Sequence, residues 1–352
     1  MSYIPIDPAH VAADKAIRDM EKKIKKEYKQ AIEEVEDKLE DYLRRYALKD
    51  RKWRQWVHDG KKTEKQYKEW RLGQLAMGER WEQLRDALSD IYLNAYKVSY
   101  GMVNGYMPAI YADNYNYATY YIENGLNIDT SFVMYDYNTV YRMMAEDPDM
   151  LPPPGRKVSE QIRMKQAKQW DNQRIQSVMI QGILQGQGIT ELAMTLAYAV
   201  GDSDTKAAIR NARTMTTGAE NAGRVAGYKR AQSMGIKLGQ QWMATLDNRT
   251  RHSHRMIDGE IIQVGAMFSN GCRFPGDPSG PAAEVFNCRC CLVAALDGYA
   301  LNISNTSIRN TDKLNQSYDD WKKEHSESHP ITEQMEKGEA IRQSFIKEYR
   351  YL

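Results

Sequence analysis

Residues 247–259 read Asp-Asn-Arg-Thr-Arg-His-Ser-His-Arg-Met-Ile-Asp-Gly, and residues 287–291 read Asn-Cys-Arg-Cys-Cys. These two stretches contain three of the four cysteines and two of the six histidines of the chain, and the remaining cysteine, Cys272, lies between them. Thiolate and imidazole are the soft ligands that zinc prefers in proteins. The clustering therefore predicts a compact module built around a metal or a redox site.

The pattern around these stretches predicts a small α+β module over residues 236–298. Asp247 is the expected N-cap of a short helix that carries His254, and Gly259 is expected to end that helix. A proline- and glycine-rich loop follows at 275–281. Three short runs rich in apolar residues predict strands at 240–245, 260–264 and 290–296.

The spacing within the module suggests how a metal could be held. Side chains two positions apart in an extended chain share a face, so Cys288 and Cys290 can reach one ion while Cys291 points away. Asp258 lies one helical turn after His254, where a carboxylate can orient an imidazole. Cys272, or with less support His252, could complete the set of four ligands. The candidate zinc ligands are His254, Cys272, Cys288 and Cys290.

Other interpretations of the same residues remain open. The fold could be free of metal, with Cys288 and Cys290 as small buried apolar residues. A Cys272–Cys288 disulfide would contribute about 2–4 kcal/mol in an oxidising environment. An HNH-like nuclease would use His252 or His254 as base and Asn287 to orient it. No GxSxG, Walker A or HExxH pattern is present, and we expect no enzyme.

The N-terminal two thirds of the chain has helical periodicity. Apolar residues recur at steps of three and four through residues 11–46 and again from Thr63, which predicts two helices in an antiparallel hairpin. Residues 92–141 are rich in tyrosine and interrupted by Asn, Gly and Asp, so short helices are expected there, either as an interaction surface or as a polar-rimmed core. Further helices are expected at 158–183, 190–200 and 204–234, with Thr190 and Asp204 as N-caps and a stop at Gly235.

The segment 44–71 is locally basic, with eleven Lys or Arg residues against four acids, and tryptophans are interleaved with the charges. Such a segment can bind nucleic acid by phosphate contacts and stacking. Arg51, Lys52 and Arg54 are the candidate nucleic-acid contacts. The alternative, which we favour, is a solvated helical face whose tryptophans anchor the hairpin.

Composition limits the remaining possibilities. The chain has 352 residues, a net charge of +2 and a mean hydropathy of −0.70. It shows neither a secretory signal pattern nor an apolar run of about 18 residues, so a soluble protein in a reducing cytoplasm is expected. We expect a mainly α protein: a long N-terminal helical region, a small α+β module and a polar helical C-terminal tail. The segments are 1–150, 151–235, 236–298 and 299–352, with the first boundary at the Leu-Pro-Pro-Pro-Gly run and a terminal helix near 332–349.

Several linked motifs in this order resemble the phage Mu F-like head-morphogenesis family. Its pattern matches Trp-Met-Ala-Thr-Leu-Asp-Asn-Arg-Thr-Arg-His-Ser-His at 242–254, Phe-Pro-Gly-Asp-Pro at 274–278, and Asn-Cys-Arg-Cys at 287–290. The helix at 212–228 and the Tyr-Asp-Asp-Trp element at 318–321 also resemble family elements. The motif residues are Trp242, Asp247, Arg249, Thr250, His254, Asp258, Gly259, Asn287, Cys288 and Cys290. The chain departs from relatives that have a cysteine pair where it has Arg251 and His254.

The resemblance implies a minor head or minor capsid protein, present in few copies per particle at the portal vertex, that assists head assembly and DNA packaging or delivery. The implied partners are the portal protein, the major capsid or scaffold protein and phage DNA, with no membrane. The implied location is the capsid interior near the portal, after assembly in the host cytoplasm. The alternative is a zinc-containing nucleic-acid-binding protein or an HNH-like nuclease.

Overall fold

A computed structural model describes residues 7–129, 132–147, 150–151, 160–296, 309–310 and 317–325. Across these residues the chain is mainly helical, as expected, with a small three-stranded sheet in its C-terminal half. The helices are α1 Pro8–Arg44, α2 Ala47–His58, α3 Glu64–Leu75, α4 Glu79–Leu126, α5 Tyr137–Glu146, α6 Glu160–Leu184, α7 Ile189–Ser233, α8 His252–Met256, α9 Ala282–Val285 and α10 Tyr318–His325. The strands are β1 Ile128–Asp129, β2 Gly239–Met243, β3 Ile261–Gln263, β4 Cys291–Ala295 and β5 Arg309–Asn310.

The chain divides into two compact units. The described residues of the first unit fall in the segments Met1–Glu21, Gly101–Lys157 and Arg210–Lys347, and those of the second in Lys22–Tyr100 and Val158–Ile209. Each unit is assembled from segments that are distant along the chain. The predicted division into four consecutive segments does not describe units that are built from distant parts of the chain. That division stays a prediction.

In the second unit, a helical hairpin is formed by α2 and α3. The chain breaks at Tyr46, so α2 rather than the first long helix is the partner of α3. Thr63 caps α3, because Gln66 N donates to Thr63 Oγ1 at 3.2 Å and Thr63 N donates to Gln66 Oε1 at 3.1 Å. Trp53 stacks on Trp70 with ring centroids 5.4 Å apart. The tryptophans therefore anchor the hairpin.

Two helices are longer than the sequence predicts. The tyrosine-rich segment is not a set of short helices, because α4 continues for 48 residues and contains Pro108. Five of its nine tyrosines are buried, and tertiary packing of this kind outweighs the low helix propensity of the intervening Asn and Gly residues. Similarly, α7 runs unbroken through Gly201 and Asp204, so neither Asp204 nor Thr190 is an N-cap. The expected stop at Gly235 is confirmed, since α7 ends at Ser233 and Gly235 has φ of +92°.

The first unit contains the three-stranded antiparallel sheet, in the order β3-β2-β4. All three predicted strands are confirmed, with shorter bounds. Helices α4 and α7 approach closely here, because Gly223 and Gly227 face the backbone of α4. The strands share one hydrophobic core with these helices: its members include Ala118, Ile122, Val225, Tyr228, Trp242, Phe268, Cys288, Cys290 and Leu292.

The Tyr-Asp-Asp-Trp element begins α10, which packs in the first unit. Trp321 Nε1 donates to Glu123 Oε2 at 2.7 Å, and Tyr318 OH donates to the Asp113 backbone oxygen at 2.9 Å. The triple-proline run and the predicted terminal helix at 332–349 lie outside the described residues. Within the described part of the chain, no helix has both the length and the apolar character needed to cross a membrane.

Candidate functional site

One imidazole and two thiols meet in the core of the first unit. His254 lies on α8, and Cys288 and Cys290 precede β4. His254 Nδ1 is 3.7 Å from Cys288 Sγ and 3.4 Å from Cys290 Sγ, and each of the three residues is only 1% exposed. The structure thus brings together three of the four predicted ligands, and we call His254, Cys288 and Cys290 the sulfur–imidazole cluster.

Helix α7 holds the chain that carries the two cysteines. Its Thr217 Oγ1 donates to the Cys288 backbone oxygen at 2.8 Å, and the Leu292 backbone N donates to Asn221 Oδ1 at 2.8 Å. Asn287 has φ of +56°, a left-handed conformation that Asn adopts more readily than most residues. Its backbone N donates to Thr214 Oγ1 at 3.1 Å. The buried polar face of α7 therefore fixes the position of the Asn-Cys-Arg-Cys segment.

Asp247 is not the N-cap of α8. That position is Arg251, whose side chain makes no capping bond, and α8 starts five residues after Asp247. Asp247 instead accepts from Arg249 N at 2.9 Å and from both terminal nitrogens of Arg289 at 2.5 and 2.7 Å. The bond to Arg289 holds the pKa of Asp247 well below its usual range. The Thr250 hydroxyl also donates to Asp247 Oδ1 at 3.1 Å. Asp247 therefore connects the loop before α8 to the cysteine segment.

Asp258 does not orient His254. Its carboxylate accepts from Ala244 N at 2.8 Å, while His254 Nε2 lies 2.9 Å from Glu284 Oε2. The two atoms lie at ion-pair distance, although the ring N–H direction does not satisfy hydrogen-bond geometry. Ser253 Oγ donates to the same Glu284 oxygen at 2.8 Å. Glu284 was not predictable from the sequence, because it lies 30 residues from His254, in a helix of only four residues that gives no periodic signal.

Cys272 does not join the sulfur–imidazole cluster among the described residues. Its sulfur fills the space beside Gly280, where a Cβ would lie 2.6 Å away. Burial, with the nearby charge of Asp277, raises the pKa of Cys272 to about 12. Cys291 faces elsewhere, as the alternation predicted, and lies close to His10 and Glu220. All four cysteines are free thiols, so the Cys272–Cys288 disulfide is not formed.

The two clustered thiols have opposite pKa shifts. A hydrogen bond from Cys288 lowers the pKa of Cys290 to about 4, against the effect of burial, and His254 and the backbone N of Thr245 add to the lowering. The hydrogen bond to the sulfur of Cys290, together with burial, raises the pKa of the Cys288 thiol well above its ordinary value. The hydrogen bond from Cys288 therefore favours the thiolate form of Cys290, which is the form that binds a metal.

Comparison with known proteins identifies the part of the chain that builds this site. Residues 173–293, which include His254, Glu284, Cys288 and Cys290, match the family described as phage Mu protein F like protein. Over these residues the chain is similar to the Mu F-like family.

The proteins to which this chain is similar have names that describe different functions. It is 28% identical to the minor head protein GP7 of Bacillus phage SPP1 over 222 residues, which are 62% of this chain and 69% of GP7. It is 26% identical over 246 residues, 69% of this chain, to the NAD(+)–arginine ADP-ribosyltransferase EFV of Enterococcus faecalis, and spans about half (49%) of that protein. It is also 29% identical over 137 residues to the uncharacterized protein YqbB of Bacillus subtilis, 37% of this chain and 44% of YqbB. No solved structure matches the chain.

The remaining Mu F-like motif residues support the cluster. Trp242 is fully buried, and its ring lies edge-on to the His254 ring with centroids 5.1 Å apart. Gly259 has φ of +82°, which allows the chain to reverse after α8, and its N donates to the Trp242 oxygen at 2.8 Å. Arg249 is exposed. Trp242 thus closes one side of the cluster, and Gly259 fixes the turn that places α8 beside β2.

The candidate nucleic-acid residues lie in the other unit, on α2. Arg51 and Lys52 are exposed, whereas Arg54 Nε donates to Asp50 Oδ2 at 3.0 Å and to Tyr67 OH at 2.9 Å. The guanidinium of Arg54 is therefore occupied within the hairpin. Nucleic-acid contact through Arg51 and Lys52 stays a prediction.

Proposed function

We propose that this Mu F-like chain is a minor head protein, present in few copies per particle at the portal vertex, that assists head assembly and DNA packaging or delivery. The observation that carries the proposal is the similarity to GP7, a protein named as a minor head protein, over 69% of its length. The proposed partners are the portal protein and the major capsid or scaffold protein, with phage DNA as a further contact. The proposed location is the interior of the capsid.

The surface of the first unit suits contacts with other proteins. Leu246, Met256 and Met267 are 67–70% exposed, although they lie within a stretch of only 22 residues. Exposed apolar residues that are concentrated in this way are typical of interaction surfaces. Methionine also adapts to the shape of a partner at little cost.

We further propose that the chain is not an enzyme. The similarity to EFV covers 49% of that protein, so its named activity is not transferred to this chain. The sulfur–imidazole cluster is buried, which leaves Cys290 without access to a substrate. Both ring nitrogens of His254 face partners, so His254 is a poor candidate for the base of an HNH-like nuclease.

The proposal is tested by co-expression with the portal and major capsid proteins of the same genome. Particles are separated on a gradient, and quantitative mass spectrometry counts this chain per particle. A few copies per particle are expected when the portal protein is present, and a large loss when it is omitted. A chain that stays in the soluble fraction under all conditions would contradict the proposal.

Point substitutions are better probes than deletion of residues 236–298, because the strands share their core with α4 and α7. Leu246→Glu, Met256→Glu and Met267→Glu place charges on exposed positions and are expected to reduce incorporation while leaving the fold intact. Leu48→Glu, at a position that is 78% exposed in the other unit, is the matched control.

The alternative, binding of DNA through α2, is favoured only by the exposure of Arg51 and Lys52. It predicts an affinity for DNA that falls steeply with salt concentration. Combined Arg51→Gln and Lys52→Gln substitution should then lower the affinity and flatten its salt dependence. An affinity that these changes leave unaltered excludes this surface.

A further inference from the structure

We infer that the sulfur–imidazole cluster is a binding site for one zinc ion, in which His254 Nδ1, Cys288 Sγ and Cys290 Sγ are the protein ligands and Glu284 orients the imidazole. This inference is independent of the head-protein proposal.

The distances match a zinc site. With bonds of about 2.3 Å to sulfur and about 2.05 Å to nitrogen, tetrahedral zinc separates a sulfur from a nitrogen ligand by about 3.5–3.6 Å. The Nδ1–Sγ separations are 3.7 Å to Cys288 and 3.4 Å to Cys290. All three ligand atoms lie within 4.8 Å of one another. An ion can therefore be placed between them with little movement of the side chains.

The imidazole is arranged as in metal-bound histidines. In the zinc-bound site the ring proton is placed on Nε2, which lies 2.9 Å from Glu284 Oε2, and the lone pair of Nδ1 is directed toward the ion between the two sulfurs. A carboxylate behind the histidine is the usual partner that fixes the tautomer and orientation of a metal ligand. Glu284 is itself held by Ser253 Oγ at 2.8 Å. The carboxylate and its support have no role in a cluster that only packs apolar side chains.

The burial of the cluster keeps solvent away from a bound ion. Trp242 covers the His254 ring, and no cluster residue is more than 1% exposed. Thiolate and imidazole are softer ligands than carboxylate or water, and they select zinc over magnesium or calcium. Three protein ligands leave one position of the tetrahedron for a water molecule. Cys272 and Cys291, the other two buried thiols, do not join the cluster and so provide controls with the same chemistry.

The metal content of the full-length protein tests the inference. The chain is produced with zinc in the medium, dialysed against a weak chelator, and analysed by elemental mass spectrometry, with circular dichroism as a check of folding. One zinc per chain is expected for the wild type and for Cys272→Ser and Cys291→Ser. At least a tenfold lower content is expected for His254→Gln, Cys288→Ser and Cys290→Ser. Glu284→Gln is expected to weaken zinc affinity by roughly 10–100-fold without abolishing binding.

X-ray absorption of the zinc-loaded wild type keeps the inference testable if ligand variants fail to fold. Two sulfurs at about 2.3 Å with nitrogen or oxygen at about 2.0–2.1 Å are expected. A wild type that holds no stoichiometric metal overturns the inference. A shell of three or four sulfurs, or loss of zinc from Cys272→Ser as complete as from Cys290→Ser, overturns the assigned ligands.

Discussion

The close approach of α4 and α7 in the first unit predicts that Gly223→Ala destabilises the protein. A Cβ at Gly223 would overlap the backbone oxygen of Tyr111 and lie 3.2 Å from Tyr111 C and from Tyr115 N. These are backbone atoms, which cannot rotate away, so the two helices must separate. Overpacking of this kind costs about 1–3 kcal/mol, while alanine contributes about 0.8–1 kcal/mol of helix propensity over glycine. A clash with backbone belongs in the upper part of that range, about 2–3 kcal/mol, so the expected net loss of stability is about 1–2 kcal/mol.

The matched control is Gly73→Ala in α3, where no atom lies within 4 Å of the added Cβ. The same substitution should stabilise this helix by up to about 1 kcal/mol, because only the propensity changes. The two substitutions are therefore expected to have opposite signs. Hydrogen exchange followed by mass spectrometry measures each helix separately, which matters because a protein of two units need not unfold in a single transition.

Amides in the part of α7 around Gly223 should exchange roughly 5–30-fold faster in Gly223→Ala, since about 1.4 kcal/mol corresponds to a factor of ten. Amides of α3 should exchange more slowly in Gly73→Ala. Unchanged or slower exchange of α7 in Gly223→Ala would refute the argument that this glycine sets the spacing between the helices.

Three other changes have defined outcomes. Arg224→Met should destabilise the first unit by about 3–5 kcal/mol in urea denaturation, because it removes a buried guanidinium that pairs with Asp7 and Glu220 and donates to the Leu292 backbone oxygen. Arg249→Ala, at an exposed position, should change stability by less than about 0.5 kcal/mol. Burial alone would lower the pKa of His10, but the charge and hydrogen bond of Glu220 outweigh it and raise the pKa to about 9. The stabilisation from His10 should therefore be complete below pH 6.5 and be lost as the pH rises through 9, a dependence that His10→Gln should remove from the urea midpoint. Asn287→Gly should leave the melting temperature nearly unchanged, whereas Asn287→Val should lower it at a cost of about 1–2 kcal/mol, because a β-branched residue disfavours φ of +56°.

The helices and strands were predictable where local periodicity decides the structure. Apolar spacing gave α1 and the three strands, and the side chain of Thr63 marked the start of α3. The lengths of α4 and α7 were not predictable, because Pro108 and Gly201 are local breakers that packing against other helices overrides.

The meeting of His254, Cys288 and Cys290 was predictable from the sequence, whereas the inclusion of Cys272 was wrong and the supporting contacts were not predictable. Alternation along an extended chain correctly placed Cys288 and Cys290 together and Cys291 apart. Helical spacing suggested Asp258 as the partner of His254, but α8 ends at Met256, so the helical relation does not extend to Asp258. The carboxylate that faces His254 is Glu284, whose position depends on the path of a long loop.

Local sequence patterns account for the individual motifs, the helical character and the shared face of Cys288 and Cys290, because each pattern extends over a short run of neighbouring residues. The packing of distant segments accounts for the position of Cys272 outside the cluster, for the bond of Asp247 to Arg289 in place of a cap on α8, and for the position of Glu284 behind His254. These contacts join residues 30 or more positions apart or depend on where a loop turns. Hydrophobic periodicity and helix-capping patterns do not predict these long-range contacts, because the contacts form only when α7 packs against the sheet.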